Sequence, residues 1–532
     1  MPHEALFAAI ATGDLASVDR ELEAATADAE AGRGPAIGEL VNEAGRTLAG
    51  WAAQHAQVGV LERLHALRVG LAAPDRVGSG PAHLAAFHGH GQVLRWLGAH
   101  GADLNTSNRA GFVPAHFAAL NGHVDALRAL GELGADLNAR SHNGYVPAHF
   151  AALNGHAAVL RTLGELGADL NARDQAQFAP AHLAAQNGHA DALRALGALK
   201  ADLNARDQAG AAPAHLAARN GRVDALRALG ALGADLKARS PAGGVPAHLA
   251  ALNGHGDALR ALKELGADLD ARDQTGFVPA HFAALNGHGD ALRALKELGA
   301  DLDAQNQNGD APSHYAAQNG HADALRALGA LGADLDAQNQ AELVPAHLAA
   351  QNGHVDALRA LHDQGADLKA RNQAGFVPVH FAAQNGHVNA LRALGAWDAD
   401  LNARNQAGGV PAHAAALNGH VEALRTLHAL GADLNARSLT GSVPAHSAAH
   451  NGHVDALRTL KELGADLNAR DQTGYVPAHS AAQNGHGAAL RALKELGADL
   501  DAQNQAGFAP VHAAAQNGHV DALRALRDGG VY

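Results

Sequence analysis

Two hydrophobic patterns alternate along the chain. In VDALRALGEL, residues 124–133, Leu127, Leu130 and Leu133 return every three residues among polar neighbours, which predicts a helix with one buried stripe. The preceding stretch VPAHFAALNGH, residues 113–123, predicts a second, shorter helix. Pro114 suits a first helical turn, where its missing N–H is no loss, and it pushes Val113 towards an extended conformation. That helix should end at Asn121-Gly122, because glycine tolerates a left-handed C-terminal turn, and the next should run from about Val124 to a stop at Gly134. The stretch ADLNARSHNGYV then connects outward and back, with Asn143-Gly144 as the turn signal.

The pattern is periodic. VPAHFAALNGH recurs unchanged at residues 146–156 and 278–288, and the Pro-x-His prolines from Pro81 to Pro510 stand at unbroken intervals of 33 residues in fourteen copies. One step earlier, Leu48 takes the proline's place in GRTLAGWAAQ and gives a degenerate copy. Glu4 to Ala25, with AIATGDLASVDREL, predicts another helix–turn–helix before a connection rich in Ala, Gly and Glu. Residues 1–47 are therefore expected to cap and connect, and residues 48–532 to form the array. A pair of short helices cannot bury its stripe alone, so each unit must lean on the next in one cooperative solenoid.

Asn-Gly-His, Gly-Ala-Asp-Leu-Asn-Ala and Pro-Ala-His at this spacing resemble the ankyrin repeat. The resemblance implies an all-α solenoid of helix–turn–helix and hairpin units, a single elongated, curved array on the order of 150 Å long at ordinary helix-packing distances. The chain departs from the family's Thr-Pro-Leu-His. Val113, Ala179 and their equivalents replace threonine, and the one threonine kept there, Thr47, faces Gly50 where histidine should be. A threonine–histidine hydrogen bond is thus ruled out in every unit, and the histidines must find backbone partners.

Composition narrows the chemistry. There are no cysteines, which removes disulfides, thiolate nucleophiles and Cys-based metal sites together. The first residues have no basic region before an apolar run, and no run of eighteen apolar residues occurs, so neither a signal peptide nor a membrane span is expected. A cytoplasmic location is the simplest expectation, with delivery to another cell left open. The net charge of −13 is not gathered into blocks and disfavours nucleic acid as the main partner.

The 36 histidines invite a metal reading, but fourteen belong to Pro-x-His and thirteen to Gly-His, with Arg222 substituting once. Histidines one repeat apart lie roughly 10 Å from each other by helix packing, too far to share one zinc ion. Structural hydrogen bonding is the better expectation. Asp125 and Arg128 read as a helical surface pair, and Asp136 as a turn carboxylate serving backbone N–H groups. No phosphate-cradling loop or distinctive nucleophile stands outside the lattice, so no enzyme and no cofactor is expected.

The informative positions are those that vary. Two residues before the proline stand Phe112, Tyr145, Phe178, Phe277, Phe376, Tyr475 and Phe508; three after it stand Phe117, Phe150, Phe282, Tyr315 and Phe381. These are twelve of the chain's fifteen Phe and Tyr. The resemblance places both columns beside the concave groove, at hairpin tips and inner helices, where partners of the family bind. The expectation is a scaffold for a protein partner, anchored by these rings; framework packing of the inner column stays open. The other open reading is a spacer or self-assembling rod, because near-identical hairpins look poorly diversified. Binding of a small molecule or single-stranded nucleic acid along the rings is weakened by the acidic charge. The last helix keeps Leu523 and Leu526 without polar replacement, so that end is expected to fray or to stack on another chain.

Overall fold

The computed structural model describes residues 3–531. Among them are 32 α-helices, one short 3-10 turn at Ile37–Glu39, and no strand beyond a bridge between Val41 and Thr47. The chain divides into two compact units, Met1–Ala250 with Asp257–Asp268, and Ala251–Gly256 with Leu269–Tyr532. Within each unit the first helices of successive repeats pack on one another, and so do the second helices.

The repeat Pro114–Glu132 shows why. Val113 is extended at φ −94°, ψ 165°, and Pro114 opens the helix Pro114–Leu120. At its end Asn121 Nδ2 donates to the Phe117 carbonyl at 3.0 Å. Gly122 then turns left-handed at φ +80°. A Cβ there would also lie 3.0 Å from the ring of His156 in the next repeat, so glycine is required twice over. The second helix, Val124–Glu132, buries Ala126, Leu127, Ala129 and Leu130. Each such leucine contributes about 1.5–3 kcal/mol on leaving water.

Leu133 does not belong to that stripe, contrary to its spacing. It lies one residue past the helix and is 38 % exposed. Its side chain folds back over Gly98 of the preceding repeat, where an added Cβ would sit 2.8 Å from a leucine methyl. Leu166 covers Gly131 and Leu199 covers Gly164 in the same way. These leucines lid the seam between second helices instead of filling the core.

The N-terminal pair is longer than the sequence suggests, with helices Glu4–Thr12 and Leu15–Glu30. Asp14 caps the second by accepting the Ser17 N–H at 3.3 Å. Leu6, Phe7 and Ile10 from one helix and Val18 and Leu22 from the other are buried. Trp51, on the degenerate repeat's helix Leu48–Gln54, donates its indole N–H to the Phe7 carbonyl at 2.8 Å.

Candidate interaction surface

Each Pro-x-His histidine is the third residue of its helix. Its Nδ1 accepts the N–H of the residue before the proline at 3.0–3.2 Å in all fourteen copies, the part that Glu or Gln plays in a capping box. In at least twelve copies Nε2 donates forward at 2.9–3.2 Å to the carbonyl of the hairpin-column residue one repeat on, as His116 does to Tyr145. Both ring nitrogens are thereby spent on backbone, which leaves no lone pair for a metal. Burial pushes these imidazoles below their ordinary pKa, His380 down to about 4.

The Gly-His histidines point the other way. Nε2 of His123 donates to the Phe87 carbonyl of the preceding repeat at 3.0 Å, and His156 to that of Leu120 at 3.0 Å. Arg222, the one substitution in this series, sends Nε to the Gln186 carbonyl at 3.2 Å and keeps the bond. In every repeat interior to a unit, one motif side chain thus bonds forward and another backward.

On this frame the aromatic columns are not freely exposed. All seven hairpin rings lie against the histidine of their own motif, with ring centres 4.7–5.5 Å apart. Phe112, Tyr145, Phe178, Phe277, Phe376 and Tyr475 are consequently half-buried, and Phe508 alone is open, at 53 %. In the inner column Phe150 is buried at 8 % and Phe117, Phe282, Tyr315 and Phe381 are half-buried. The hairpin position tolerates Gly409 as well as Phe508 because the histidine uses only its carbonyl: His380 reaches Gly409 at 3.2 Å and His479 reaches Phe508 at 2.9 Å.

The rings gather unevenly. Phe112 meets Phe117 edge-on at 5.7 Å and Phe150 at 5.3 Å, and Tyr145 meets Phe150 at 5.4 Å. Phe87, outside both columns, completes this cluster by an edge contact with Phe117 at 5.9 Å and is 41 % exposed. It stands six residues after Pro81, where Leu120 stands in the next repeat, so a third column carries part of the surface. In the second unit Phe277 meets Phe282 at 5.4 Å and Tyr315 at 4.9 Å, and Phe376 meets Phe381 at 5.9 Å. Among the described residues Phe178, Tyr475 and Phe508 touch no ring but their own histidine.

The columns extend into the degenerate repeat. Trp51 occupies the inner position and Arg46 the hairpin position, its guanidinium 5.9 Å from the Trp51 ring centre and hydrogen-bonded to Gln54. With Phe7, Leu40 and Val41 they line a cleft of about 740 Å³. The expectation from sequence places this degenerate repeat at Leu48 but does not carry the two columns into it.

The polar stretch around Asp310 has its own logic. Asn306 donates to the Tyr315 hydroxyl at 2.8 Å, that hydroxyl donates to Asp310 at 3.2 Å, and Asn339 of the next repeat donates to Asp310 at 2.8 Å. Burial, reinforced by the Asp310 charge, pushes the Tyr315 phenol up to about 12. One position, held by Arg140, Arg173, Arg206, Arg239 and Arg272 and then by Gln305, bridges repeats: Arg173 donates to the Arg206 carbonyl at 2.6 Å, and Gln305 keeps the bond to Gln338 at 3.2 Å.

The surface pair Asp125–Arg128 does not form. Asp125 instead binds Arg95 of the preceding repeat at 3.0 Å, and Arg128 reaches Glu165 of the following one at 3.9 Å. The i,i+3 geometry is realised elsewhere, as in Asp191–Arg194 at 2.6 Å. Asp136 behaves as its turn position implies, accepting the Asn138 N–H at 2.8 Å, while its own N–H goes to Asn105 one repeat back at 2.7 Å. In the last repeat His512 and Val520 are exposed, and Leu523 is partly so.

No curated protein matches the chain significantly. A family model described as ankyrin repeats in three copies matches residues 82–174, 148–240, 247–339, 314–405 and 445–531, and one described as ankyrin repeats in many copies matches residues 412–460. With the 33-residue period, the paired helices and the two histidine series, these matches over most of its length make the chain a member of the ankyrin-repeat family.

Proposed function

We propose that this protein is a non-catalytic scaffold that holds a protein partner against the hairpin tips and first helices of its repeats. Ankyrin repeats are in general protein-interaction modules. The observation that carries the finer reading is the ring cluster of Phe87, Phe117, Phe112, Phe150 and Tyr145, in which Phe87 is exposed, Phe112, Phe117 and Tyr145 are half-buried and Phe150 is buried. The histidines fix each repeat through backbone carbonyls, so the hairpin rings, though packed on those histidines, keep an open edge for recognition. A half-open ring that becomes covered adds roughly 25 cal/mol per Å² of apolar surface, before the costs of association. Among the described residues no helix is long and apolar enough to cross a membrane.

In the second unit one observation favours a spacer. Hairpin glutamines there are engaged with their neighbours, Gln307 donating to the Gln274 carbonyl and Gln340 to that of Gln307, both at 2.8 Å. Side chains committed to the lattice are not available to a ligand.

The test is affinity capture from lysate with the intact chain and with a variant carrying Phe112→Ser, Tyr145→Ser and Phe178→Ser, both checked for equal helical content. A protein retained by the first and lost by the second supports the scaffold. Capture of nothing by either, with association of the chains themselves, supports the spacer.

A further inference from the structure

Three successive hairpin turns border the first aromatic cluster, and their tips carry Arg76, Arg109 and His142. From the next repeat on the same position is Gln175 and then Gln208. In a chain of net charge −13 this is a local reversal of sign. Arg76 and Arg109 are exposed, and among the described residues neither guanidinium has an ion-pair or hydrogen-bond partner. Most other arginines of the first unit are spent on carbonyls or carboxylates, as Arg173 and Arg128 are. The only acid on these three turns, Asp75, is committed to its own turn, accepting the N–H groups of Val77 at 2.9 Å and Ser79 at 2.8 Å. Each tip also leans on the hairpin before it: an added Cβ on Gly78 would lie 3.2 Å from the Arg109 side chain, and one on Gly111 would lie 2.7 Å from the His142 ring. The Arg109 stem and the His142 ring therefore lean on the hairpin before them, while the two guanidiniums face solvent.

Apolar surface lies alongside. Val77, between the two arginines, is 59 % exposed, and Phe112 is three residues from Arg109 on the same turn. We infer that the N-terminal repeats bind a protein segment that carries apolar side chains interspersed with carboxylates. The apolar groups cover Phe87 and the open edges of Phe112 and Tyr145, and the carboxylates meet Arg76 and Arg109, for which an Arg–carboxylate fork is the geometry of choice. The charges set the partner's sign and speed its approach, and the rings supply most of the affinity. This inference rests on the scaffold reading and names its partner's chemistry.

The test uses the full chain and a display library of random linear peptides. Peptides selected on the natural sequence are expected to be rich in Asp and Glu around Phe, Leu or Trp, and to lose affinity as ionic strength rises. The double variant Arg76→Glu/Arg109→Glu, exposed and free of structural bonds, should bind them at least roughly tenfold more weakly and select Lys- or Arg-bearing peptides in their place. Phe87→Ser should weaken the same peptides to a similar degree, while Phe376→Ser in the second unit should not. Selected peptides without acidic bias, or indifferent to the charge reversal but sensitive to Phe376→Ser, would overturn this inference and leave the scaffold standing. No peptide selected above background would count against both. Binding of phosphatidylserine vesicles in place of peptides, abolished by the same reversal, would assign the patch to lipid and overturn the inference.

Discussion

The histidines do their work as neutral rings, each giving one N–H and taking another. His281 is fully buried, takes the Val278 N–H at 3.1 Å and gives its own to the Asp310 carbonyl at 2.9 Å. His281→Ala leaves both groups unpaired, at about 1–3 kcal/mol each, and denaturant unfolding of the variant should show a loss in that range or above. Arg222→His restores a bond that the arginine already makes, so its effect should stay within about 0.5 kcal/mol. Protonation acts on the buried Pro-x-His rings from His83 to His479 whose values burial lowers. Folded values lie below the unfolded value of about 6.5, so the unfolded chain binds more protons in acid. Stability is full above about pH 6.5 and falls as pH drops below it; for His380 the fall continues to about 4, at up to about 1.4 kcal/mol per pH unit. The urea midpoint should be lower at pH 5 than at pH 7.5; equal midpoints would refute neutral burial. That the histidines serve backbone was legible from the missing threonine. The direction of each bond was not, because it depends on which repeat the ring faces.

At the scale of the element, helix boundaries were readable because proline and glycine fix them by backbone geometry, independent of neighbours. Pro114 opens its helix and Gly122 turns the chain where expected. Gly122→Ala should cost about 1–2 kcal/mol for the left-handed conformation alone, and more if the His156 ring cannot yield. Leu127→Ala, in the buried stripe, should cost about 2–5 kcal/mol, whereas Leu133→Ala, on the seam lid, should cost clearly less. Both are measured by the same unfolding curve. Leu133 was misread because three-residue spacing continues past the helix end, while the helix itself stops at Glu132. The Asp125–Arg128 pair was misread for a related reason: period within one helix cannot show that Arg95 and Glu165 on flanking helices lie closer.

For the whole molecule, the sequence disclosed the repeat and the two columns but not how they cluster. The cluster needs contacts between a hairpin and the next repeat, such as Phe112 with Phe150, and Phe87 enters it from a third column. Stability in such a chain is a sum of repeat and interface terms. Leu391→Ala should accelerate amide exchange in its own repeat and in the flanking helices Pro345–Gln351 and Pro411–Leu417, and leave Pro477–Gln483 unchanged. Function is set by which faces stay open once those interfaces are made. The decisive observation is therefore the amide-exchange footprint of a captured partner on the intact chain. Protection of residues 105–120 and 138–153, covering the hairpins and first helices around Phe112 and Tyr145, is the predicted result; protection confined to the second helices Val124–Glu132 and Ala157–Glu165 would contradict it.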